Sequence, residues 1–396
     1  MIDIVVVLRA EDAVLDFLSV LTDDRGGETR VVLGDHAETV TLPAGSGPAE
    51  RLALLAPYVR PAPREITSPE PAVLAGLVRD ATAEAGRAVR VWTHSPADNR
   101  RGRGRLGRDT AAACESAGAG NGPGLEVRHA VGYSPYLQFV SDLDRPLGQR
   151  RIEAKLGFVN HSCGHLLTEE NPEYLVQTPH IPATERFFDA DPDQRERLYA
   201  LLASLDDEAA SVVDPWEFAT SPYEAERLDA TAAWVRNRCP AAGSTLVEVG
   251  ACEGALTRRL AAAGFTVRAT EPNPVFRPRL AAALAGADAV TVDEAGLAEL
   301  AKEDTGPRAD AHLLIEMFYY GQDPALLDDL ATDCLFVALE PEALGLYIRP
   351  WLERSAHWRA EEEVVLVPPR VETVCSGRAY LSKRGSVGLL LRRTTS

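Results

Sequence analysis

Apolar runs rich in β-branched residues recur along the first half of the chain and predict buried strands. Residues 2–8 form the first run, and the apolar positions from 13 to 21 recur at helical spacing. Two further strands are predicted over 29–33 and 88–93, with a helix over 72–85 between them. Because repeated strand–helix units form parallel sheets, this half is predicted to be α/β.

The second half also alternates predicted strands and helices, and a glycine-rich turn follows its first strand. A strand over 245–249 leads into Gly250-Ala251-Cys252-Glu253-Gly254 and a helix over 255–260, and a second strand follows at 266–270. Later strands are predicted at 290–292, 311–315, 364–367 and 387–391. Strand, glycine turn, helix and strand in this order begin a doubly wound, nucleotide-binding sheet.

Two segments are predicted to be irregular. Residues 102–124 are rich in Gly, Arg and Ala, and we interpret 117–124 as a surface loop. The span 190–215 is rich in Pro and acidic residues and contains one predicted helix, 194–205. We therefore predict two domains, 1–205 and 206–396, each with a largely parallel sheet flanked by helices.

Composition and charge narrow the class of partner. The 396 residues are 45% hydrophobic and 25% charged, as in a globular protein with two cores, and the formal net charge is −18. Such a charge repels phosphate backbones and anionic membrane surfaces. We expect a cationic or neutral small molecule as partner, with no nucleic acid and no membrane.

From the sequence we expect neither a signal peptide nor a disulfide framework. Its start lacks the cationic and apolar parts of a signal peptide, and no apolar run is long enough to span a bilayer, so we expect a cytoplasmic location. Six scattered cysteines without CxxC spacing are predicted to be free thiols, most of them buried.

Polar residues at predicted strand ends suggest a nucleoside site. Glycines in the turn after residue 249 allow a ligand to approach the backbone, and Glu271, about twenty residues on, can accept hydrogen bonds from both ribose hydroxyls. Asp293, after the next strand, can accept from an adenine amino group. Tight packing of strand against helix is the alternative explanation for the glycines.

The sequence EVGACEG resembles the ExGxGxG motif of class I S-adenosylmethionine-dependent methyltransferases, with Cys252 in place of the middle glycine. The resemblance covers 206–396 and implies a Rossmann-like seven-stranded fold that ends in an antiparallel hairpin. It implies S-adenosylmethionine as cofactor and S-adenosylhomocysteine as product. The residues it places at the cofactor are Glu248, Gly250, Ala251, Cys252, Gly254, Glu271, Asp293 and Glu316.

Three segments resemble the NodS-type group of that family, which N-methylates an amino sugar. They are DPWEFATSPYEAERLDATAAWV, LIEMFYYG and RPWLERSAHW. The resemblance implies that Trp216, Ser221, Tyr223 and Glu224 lie over the cofactor, with Tyr223 against its methionine end. Simple packing of a helix on the sheet is the alternative for the first segment.

Methyl transfer requires an uncharged nucleophile in line with the S–CH3 bond, exclusion of water and removal of a proton. Because ligands bind at the carboxyl ends of parallel strands, Glu316, Tyr319 and Tyr320 are the candidate catalytic residues after the fourth strand. Glu340 and His357 are candidate general bases, and we expect His357 at the same rim. For each residue, packing with a satisfied polar tip is the alternative.

The first half resembles the PIG-L family of zinc-dependent deacetylases, which act on N-acetylglucosaminyl substrates. The family's Pro-His-Pro-Asp-Asp-Glu motif falls on Leu8-Arg9-Ala10-Glu11-Asp12-Ala13, and its His-Pro-Asp-His element falls near Asp98-Asn99-Arg100-Arg101. Because Arg9 stands in place of a metal-binding histidine, we predict no zinc site. His161, Cys163 and His165 are alternative ligands, and Arg9 with Arg100 and Arg101 is an alternative anion site.

These observations predict an S-adenosylmethionine-dependent methyltransferase that acts on a small amine or hydroxyl acceptor, with the nitrogen of an amino sugar or of a sugar-containing natural product favoured. An O-methyltransferase and a bifunctional deacetylase and N-methyltransferase are the alternatives. A non-catalytic binding protein is a third class, which predicts no saturable cofactor binding.

Overall fold

The computed structural model describes residues 2–23, 27–59, 69–83, 89–118, 125–132, 137–164, 183–202, 209, 212–239, 243–303 and 308–394. The chain divides into two compact units. The first comprises Met1–Ala209 with Thr373–Leu381, and the second comprises Ala210–Glu372 with Ser382–Ser396. The sequence predicted one break near residue 206 and no return of the chain to the first unit.

Alternating strands and helices make up the first unit. Its strands are β1 (Ile2–Val7), β2 (Thr29–Leu33), β3 (Glu38–Leu42), β4 (Val89–Thr93), β5 (Leu125–Ala130), β6 (Leu137–Phe139), β7 (Leu143–Pro146) and β8 (Thr184–Phe188). Its helices are α1 (Ala10–Leu21), α2 (Pro48–Leu55), α3 (Pro71–Ala83), α4 (Arg101–Gly118), α5 (Gln149–Ser162) and α6 (Pro192–Leu201).

The sheet of the first unit has the order β3-β2-β1-β4-β5-β8-β7. Strands β2, β1, β4 and β5 are parallel. Successive residues of β1 enter two cores: Val5 and Val7 pack with Phe17 of α1, whereas Ile4 and Val6 pack with Leu106 of α4. Burial on both faces explains why this strand is an unbroken apolar run.

The Gly- and Arg-rich region that was predicted as irregular contains a long helix. Helix α4 spans Arg101–Gly118, and the rest of the predicted loop, 119–124, lies outside the described residues. A Cβ at Gly107 would lie 2.2 Å from the carbonyl oxygen of His94, and one at Gly104 would lie 2.8 Å from that of Pro96. These glycines therefore allow the helix to pack closely on the chain after β4. Here glycine marks a close helix contact and not a loop.

The second unit has one large sheet. Its strands and those of the C-terminal arm are β9 (Thr245–Val249), β10 (Thr266–Thr270), β11 (Val290–Asp293), β12 (Ala311–Ile315), β13 (Cys334–Leu339), β14 (Trp358–Val367), β15 (Arg370–Val374), β16 (Ala379–Lys383) and β17 (Ser386–Arg393). Its helices are α7 (Pro222–Arg238), α8 (Ala255–Ala262), α9 (Phe276–Ala283), α10 (Leu297–Leu300), α11 (Pro341–Ala343) and α12 (Arg349–Leu352).

The strand order is β11-β10-β9-β12-β13-β17-β14. Strands β9 to β13 of this sheet are parallel, and β17 runs antiparallel between β13 and β14. The sequence predicted an α/β fold with a seven-stranded sheet and a terminal antiparallel hairpin, and the structure confirms both. Strand order reverses between β9 and β12, which opens a crevice at their carboxyl ends.

The arm between β14 and β17 leaves this sheet. Residues 373–381 belong to the first unit, where β16 pairs antiparallel with β6 and Leu381 lies opposite Leu137. Ala379 and Leu381 join a core cluster there with Phe188. This contribution of the C-terminal half to the first unit has no counterpart in the predicted domain ranges.

The cysteines are free thiols, as the sequence predicts. All six cysteines are free, and four of them are buried, as the sequence predicted. Among the described helices, none combines the length and apolar character that crossing a bilayer needs.

Replacement of Gly107 by alanine tests the close packing of α4. We expect Gly107→Ala to lower the free energy of unfolding by about 1–3 kcal/mol, because the new methyl group overlaps the His94 carbonyl. Gly157→Ala in α5 is the matched control, since a Cβ there meets no atom within 4 Å, and it should be neutral or stabilising. Thermal unfolding followed by calorimetry measures both; equal melting temperatures for the two variants would contradict this packing.

Candidate cofactor and acceptor site

The turn between β9 and α8 is built on left-handed backbone. Gly250, Cys252 and Gly254 have φ angles of +71°, +52° and +78°. A Cβ at Gly254 would lie 2.8 Å from Leu280 Cδ1, whereas one at Gly250 would meet only Met317 Cβ at 3.8 Å. The first glycine therefore leaves its backbone approachable, and the second allows tight packing on α9.

Glu271 bridges this turn and the loop after β10. Its Oε2 accepts a hydrogen bond from the Cys252 N–H at 2.8 Å, and its Oε1 accepts one from the Asn273 N–H at 2.9 Å. Burial raises the pKa of Glu271, and the two backbone N–H groups and Arg277 oppose that rise. Since a carboxylate offers about four acceptor positions, two remain for a ligand.

Two further acidic residues follow the predicted pattern. Glu248, fully inside the sheet, accepts from the Thr257 hydroxyl at 2.6 Å, and burial raises its pKa to about 7. Asp293 at the end of β11 accepts from Arg268 and, at 2.9 Å, from the Ala295 N–H. Glu248 therefore links β9 to α8 through Thr257, whereas Asp293 lies at the end of β11, the edge strand of the sheet.

Aromatic residues gather before and at the start of α7. The Trp216 ring lies 5.0 Å from that of Phe276, and its side chain opposes the rise in the pKa of Tyr320 that burial causes. Tyr223 is buried, with the cations of Arg370 and Lys383 at 5.0 and 5.3 Å from its ring centre. Trp216 therefore lies near Tyr320 in the loop after β12, and Tyr223 is buried beside two cations within the second unit.

Glu316 is the most constrained residue of the predicted acceptor region. Its φ angle is +54°, which is uncommon for a residue with a side chain. Its Oε2 accepts from the Tyr319 hydroxyl at 2.6 Å and its Oε1 from the Ser386 hydroxyl at 2.9 Å. Burial raises its pKa, and Arg227, whose Nη1 lies 3.8 Å from Oε1, opposes the rise.

Tyr319 links the ends of β12 and β13. Besides donating to Glu316, its hydroxyl accepts a hydrogen bond from the Glu340 N–H at 3.1 Å. Tyr320 is more exposed than Tyr319, at 58% of its surface. The structure therefore brings Glu316, Tyr319 and Glu340 together at the carboxyl edge of the sheet.

The expectation that His357 lies at this rim is wrong. His357 immediately precedes β14, whose first residue Trp358 pairs with Arg393, whereas its last residue Val367 pairs with Ser386 beside Glu316. The strand is ten residues long, so its two ends are about 30 Å apart. His357 therefore lies at the opposite edge of the sheet and is not a candidate general base.

Two residues of this network were not foreseen. Arg227 donates through Nε to Glu224 at 2.8 Å and is buried, and Ser386 begins β17. Arg227 lies three residues after Glu224, the helical spacing that predicts a side-chain pair. Ser386 carried no sequence signal, because its role depends on the register of β17 against β13.

A second polar cluster lies at the carboxyl ends of β1 and β4 in the first unit. Arg103 of α4 pairs with Asp12 and lies 3.4 Å from Asp16 and 3.6 Å from Asp98. Burial would raise the pKa of Asp12, but Arg103 and His94 hold it well below its ordinary value. A guanidinium therefore neutralises Asp12, which lies in the segment that resembles the first PIG-L motif.

The other residues of that comparison have separate partners. Arg9 pairs with Glu11, while Arg101 stacks on the Tyr199 ring at 4.1 Å. His161 is exposed and bonds to the Gly157 carbonyl at 2.8 Å, and His165 lies outside the described residues. Across the described ranges, no group of three or more His, Cys, Asp or Glu side chains is arranged to hold a metal ion.

The sequence matches no protein-family model and no curated protein. Similar solved structures include the N-methyltransferase NodS from Bradyrhizobium japonicum with bound S-adenosylhomocysteine, 17% identical over 48% of this chain and 96% of that one, with a TM-score of 0.36. Magnesium protoporphyrin IX methyltransferase from Synechocystis with bound S-adenosylmethionine is 16% identical over 52% and 99%, with a TM-score of 0.34. The ribosomal protein L11 methylase of Lactobacillus delbrueckii is 16% identical over 42% and 78%, with a TM-score of 0.30.

Arg103→Leu tests the neutralisation of Asp12. The variant removes the permanent cation beside a fully buried carboxylate and leaves it only the Arg9 N–H and His94, so we expect it to destabilise the first unit by about 3–5 kcal/mol at pH 7. Arg186→Leu, which removes a half-exposed partner of Asp144, should cost about 0–1 kcal/mol.

The pH dependence of this loss has a definite sign. The lowered pKa of Asp12 contributes stability above the ordinary carboxyl pKa and loses it as the pH falls, whereas in the variant the buried Asp12 is relieved by protonation. The difference in melting temperature should therefore narrow from pH 7 towards pH 4. A constant difference would mean that Arg103 acts by packing alone.

Proposed function

We propose that the second unit binds S-adenosylmethionine and transfers its methyl group to the nitrogen of a small amine, with an amino sugar as the favoured class. The observation that carries the proposal is the reversal of strand order at β9, where the left-handed glycine turn meets Glu271 and Glu316 follows the adjacent strand. A terminal antiparallel β17, which dinucleotide-binding folds usually lack, supports the methyltransferase reading.

The residues at the switch point fit the cofactor. The turn at Gly250 leaves backbone free for a close approach, and Glu271 has two acceptor positions for ribose hydroxyls. Asp293 at the open edge suits the adenine amino group. When bound, S-adenosylmethionine supplies an electrophilic methyl carbon on a sulfonium, so this chain needs only to orient the acceptor, exclude water and move a proton.

An amine acceptor is favoured by the charge of the acceptor region. Two acidic residues, Glu316 and Glu340, lie at the edge where the acceptor would bind and are linked through the Tyr319 hydroxyl, and the whole chain carries a charge of −18. An ammonium ion is attracted there, whereas a neutral hydroxyl gains less. An O-methyltransferase remains the second candidate, because tyrosine hydroxyls such as Tyr319 can also position a sugar.

We further propose that the first unit is a PIG-L-like domain that no longer holds zinc and that binds or presents the acceptor. The support is chemical: Arg9 stands where the motif has a metal-binding histidine, and Arg103 neutralises Asp12. A bifunctional enzyme that deacetylates an N-acetyl sugar before methylating it is the alternative, and it requires a metal.

Loss of the Glu271 carboxylate tests the cofactor site. Glu271→Gln turns an amide N–H towards a backbone N–H, so we expect S-adenosylhomocysteine to bind about 10–100-fold more weakly, as for the loss of one charged hydrogen bond. Glu361→Gln, on the exposed face of β14, removes the same charge and should leave affinity unchanged. Titration calorimetry measures both, and no saturable binding to the natural chain would favour the non-catalytic alternative.

Acceptor class is tested with glucosamine, glucose and N-acetylglucosamine, each incubated with the protein and S-adenosylmethionine. We expect mass spectrometry to find a methyl group on glucosamine nitrogen and none on glucose. Methylation of glucose would favour the O-methyltransferase. Acetate release from N-acetylglucosamine, lost on chelation and accompanied by about one zinc per chain, would instead support the bifunctional enzyme.

A further inference from the structure

Two glutamates at the acceptor edge, Glu316 and Glu340, differ in the hydrogen bonding of their carboxylates. Each Glu316 oxygen accepts one hydrogen bond, from the hydroxyls of Tyr319 and Ser386, and Arg227 lies nearby. These groups favour the charged form and oppose the rise in the Glu316 pKa that burial causes. Because they also hold the carboxylate in place, Glu316 is suited to anchor a cation.

Glu340 has a different environment. Its Oε2 lies 3.7 Å from Arg384, beyond hydrogen-bond distance, and its side chain is one-third exposed. Burial raises the pKa of Glu340 to about 6; Glu316, Glu342 and Glu224 add to the rise and Arg384 opposes it. A carboxylate with open acceptor positions and a pKa close to neutral is suited to accept and release a proton.

Tyr319 fixes the separation of these two groups. Its hydroxyl donates to Glu316 and accepts the Glu340 N–H, so the backbone of Glu340 is held relative to the Glu316 carboxylate. Paired acidic groups in contrasting environments commonly divide the roles of electrostatic anchor and proton carrier.

We propose that Glu340 removes the proton from the acceptor ammonium while Glu316 anchors it, a division of roles that rests on the proposed methyl transfer to an amine. The ammonium R–NH3+ gives one proton to the Glu340 carboxylate and becomes R–NH2. The nitrogen lone pair then forms the N–CH3 bond as the S–CH3 pair returns to sulfur, giving R–NH2+–CH3 and a neutral thioether. Glu340 releases its proton to solvent through its exposed side.

The test compares Glu340→Gln with Glu342→Gln. Glu342 lies two residues away, is largely exposed and also pairs with Arg384, so its replacement removes the same charge from the same rim. With S-adenosylmethionine and glucosamine, we expect Glu340→Gln to lower kcat/KM by about 10²–10⁴-fold near pH 7 and Glu342→Gln to change it less than twofold. Affinity for S-adenosylhomocysteine should be unchanged in both.

The pH profile separates proton removal from a structural role. The loss caused by Glu340→Gln should shrink as the pH rises towards the pKa of the free amine, since the acceptor then arrives deprotonated. Equal kcat/KM in Glu340→Gln and the natural chain, or a loss that is the same at every pH, would overturn the assignment.

Failure of the proposed function gives a different result. If the natural chain binds S-adenosylhomocysteine but methylates only glucose, the amine assignment fails and this role of Glu340 with it. If no cofactor binds, the methyltransferase proposal itself fails. If the natural chain methylates glucosamine but Glu340→Gln is unaffected, or loses activity equally at every pH, the inference alone is overturned.

Discussion

The reversal of strand order between β9 and β12 governs the chemistry available to the second unit. The segments that follow the two strands join different core clusters, Leu260 of α8 in one and Leu327 after β12 in the other, so the carboxyl ends of the two strands stay uncovered. Backbone N–H groups of the glycine turn and side chains such as Glu271 and Glu316 collect there. The rest of β9 is buried by neighbouring strands and helices. A polar side chain there costs free energy, because it loses its hydrogen bonds to water.

That cost explains how the carboxylates are held. Burial opposes the charged form of Glu248, Glu271 and Glu316, and each has at least one donor that opposes the effect. Some of these donors come from other elements of the fold: Thr257 of α8 for Glu248, Cys252 of the glycine turn for Glu271, and Ser386 of β17 for Glu316. The site therefore depends on correct pairing of the sheet, and in particular on the register that brings Ser386 beside Glu316.

The sequence predicts the parallel strands well because they are apolar runs bounded by turn residues. Strands 245–249, 266–270 and 311–315 agree with the structure at both ends, and Glu271 and Glu316 follow them as expected. Prediction fails where the structural role of a residue depends on packing against residues that are remote in sequence. The glycines of α4 suggest a loop in the sequence, whereas in the structure Gly107 gives the helix room to pack against the His94 carbonyl.

His357 shows the same limit for site residues. Strand β14 begins at Trp358, six residues before the predicted start, because its alternating charged residues hide the strand pattern. His357 could lie near Glu316 only if β14 began at the carboxyl edge of the parallel strands. The register shows that β14 begins at the opposite edge and ends beside Ser386. Arg227 and Ser386 were missed for a related reason, since their partner Glu316 is remote in sequence.

The two units treat buried carboxylates in contrasting ways, and this contrast indicates where chemistry is possible. In the first unit Arg103 supplies a permanent cation to Asp12, so the carboxylate is committed to an internal partner and has little tendency to take up a proton. In the second unit Glu316 accepts hydrogen bonds from two hydroxyls and lies near Arg227, whereas the Glu340 carboxylate accepts none from the described residues and burial raises its pKa to about 6. A carboxylate that exchanges protons with a ligand must resemble Glu340 and not Asp12. A carboxylate that is already paired with a permanent cation has little tendency to take a proton from the ligand. The capacity for proton transfer therefore follows from the pairing left incomplete around Glu340, whereas the pairing around Asp12 favours structural stability.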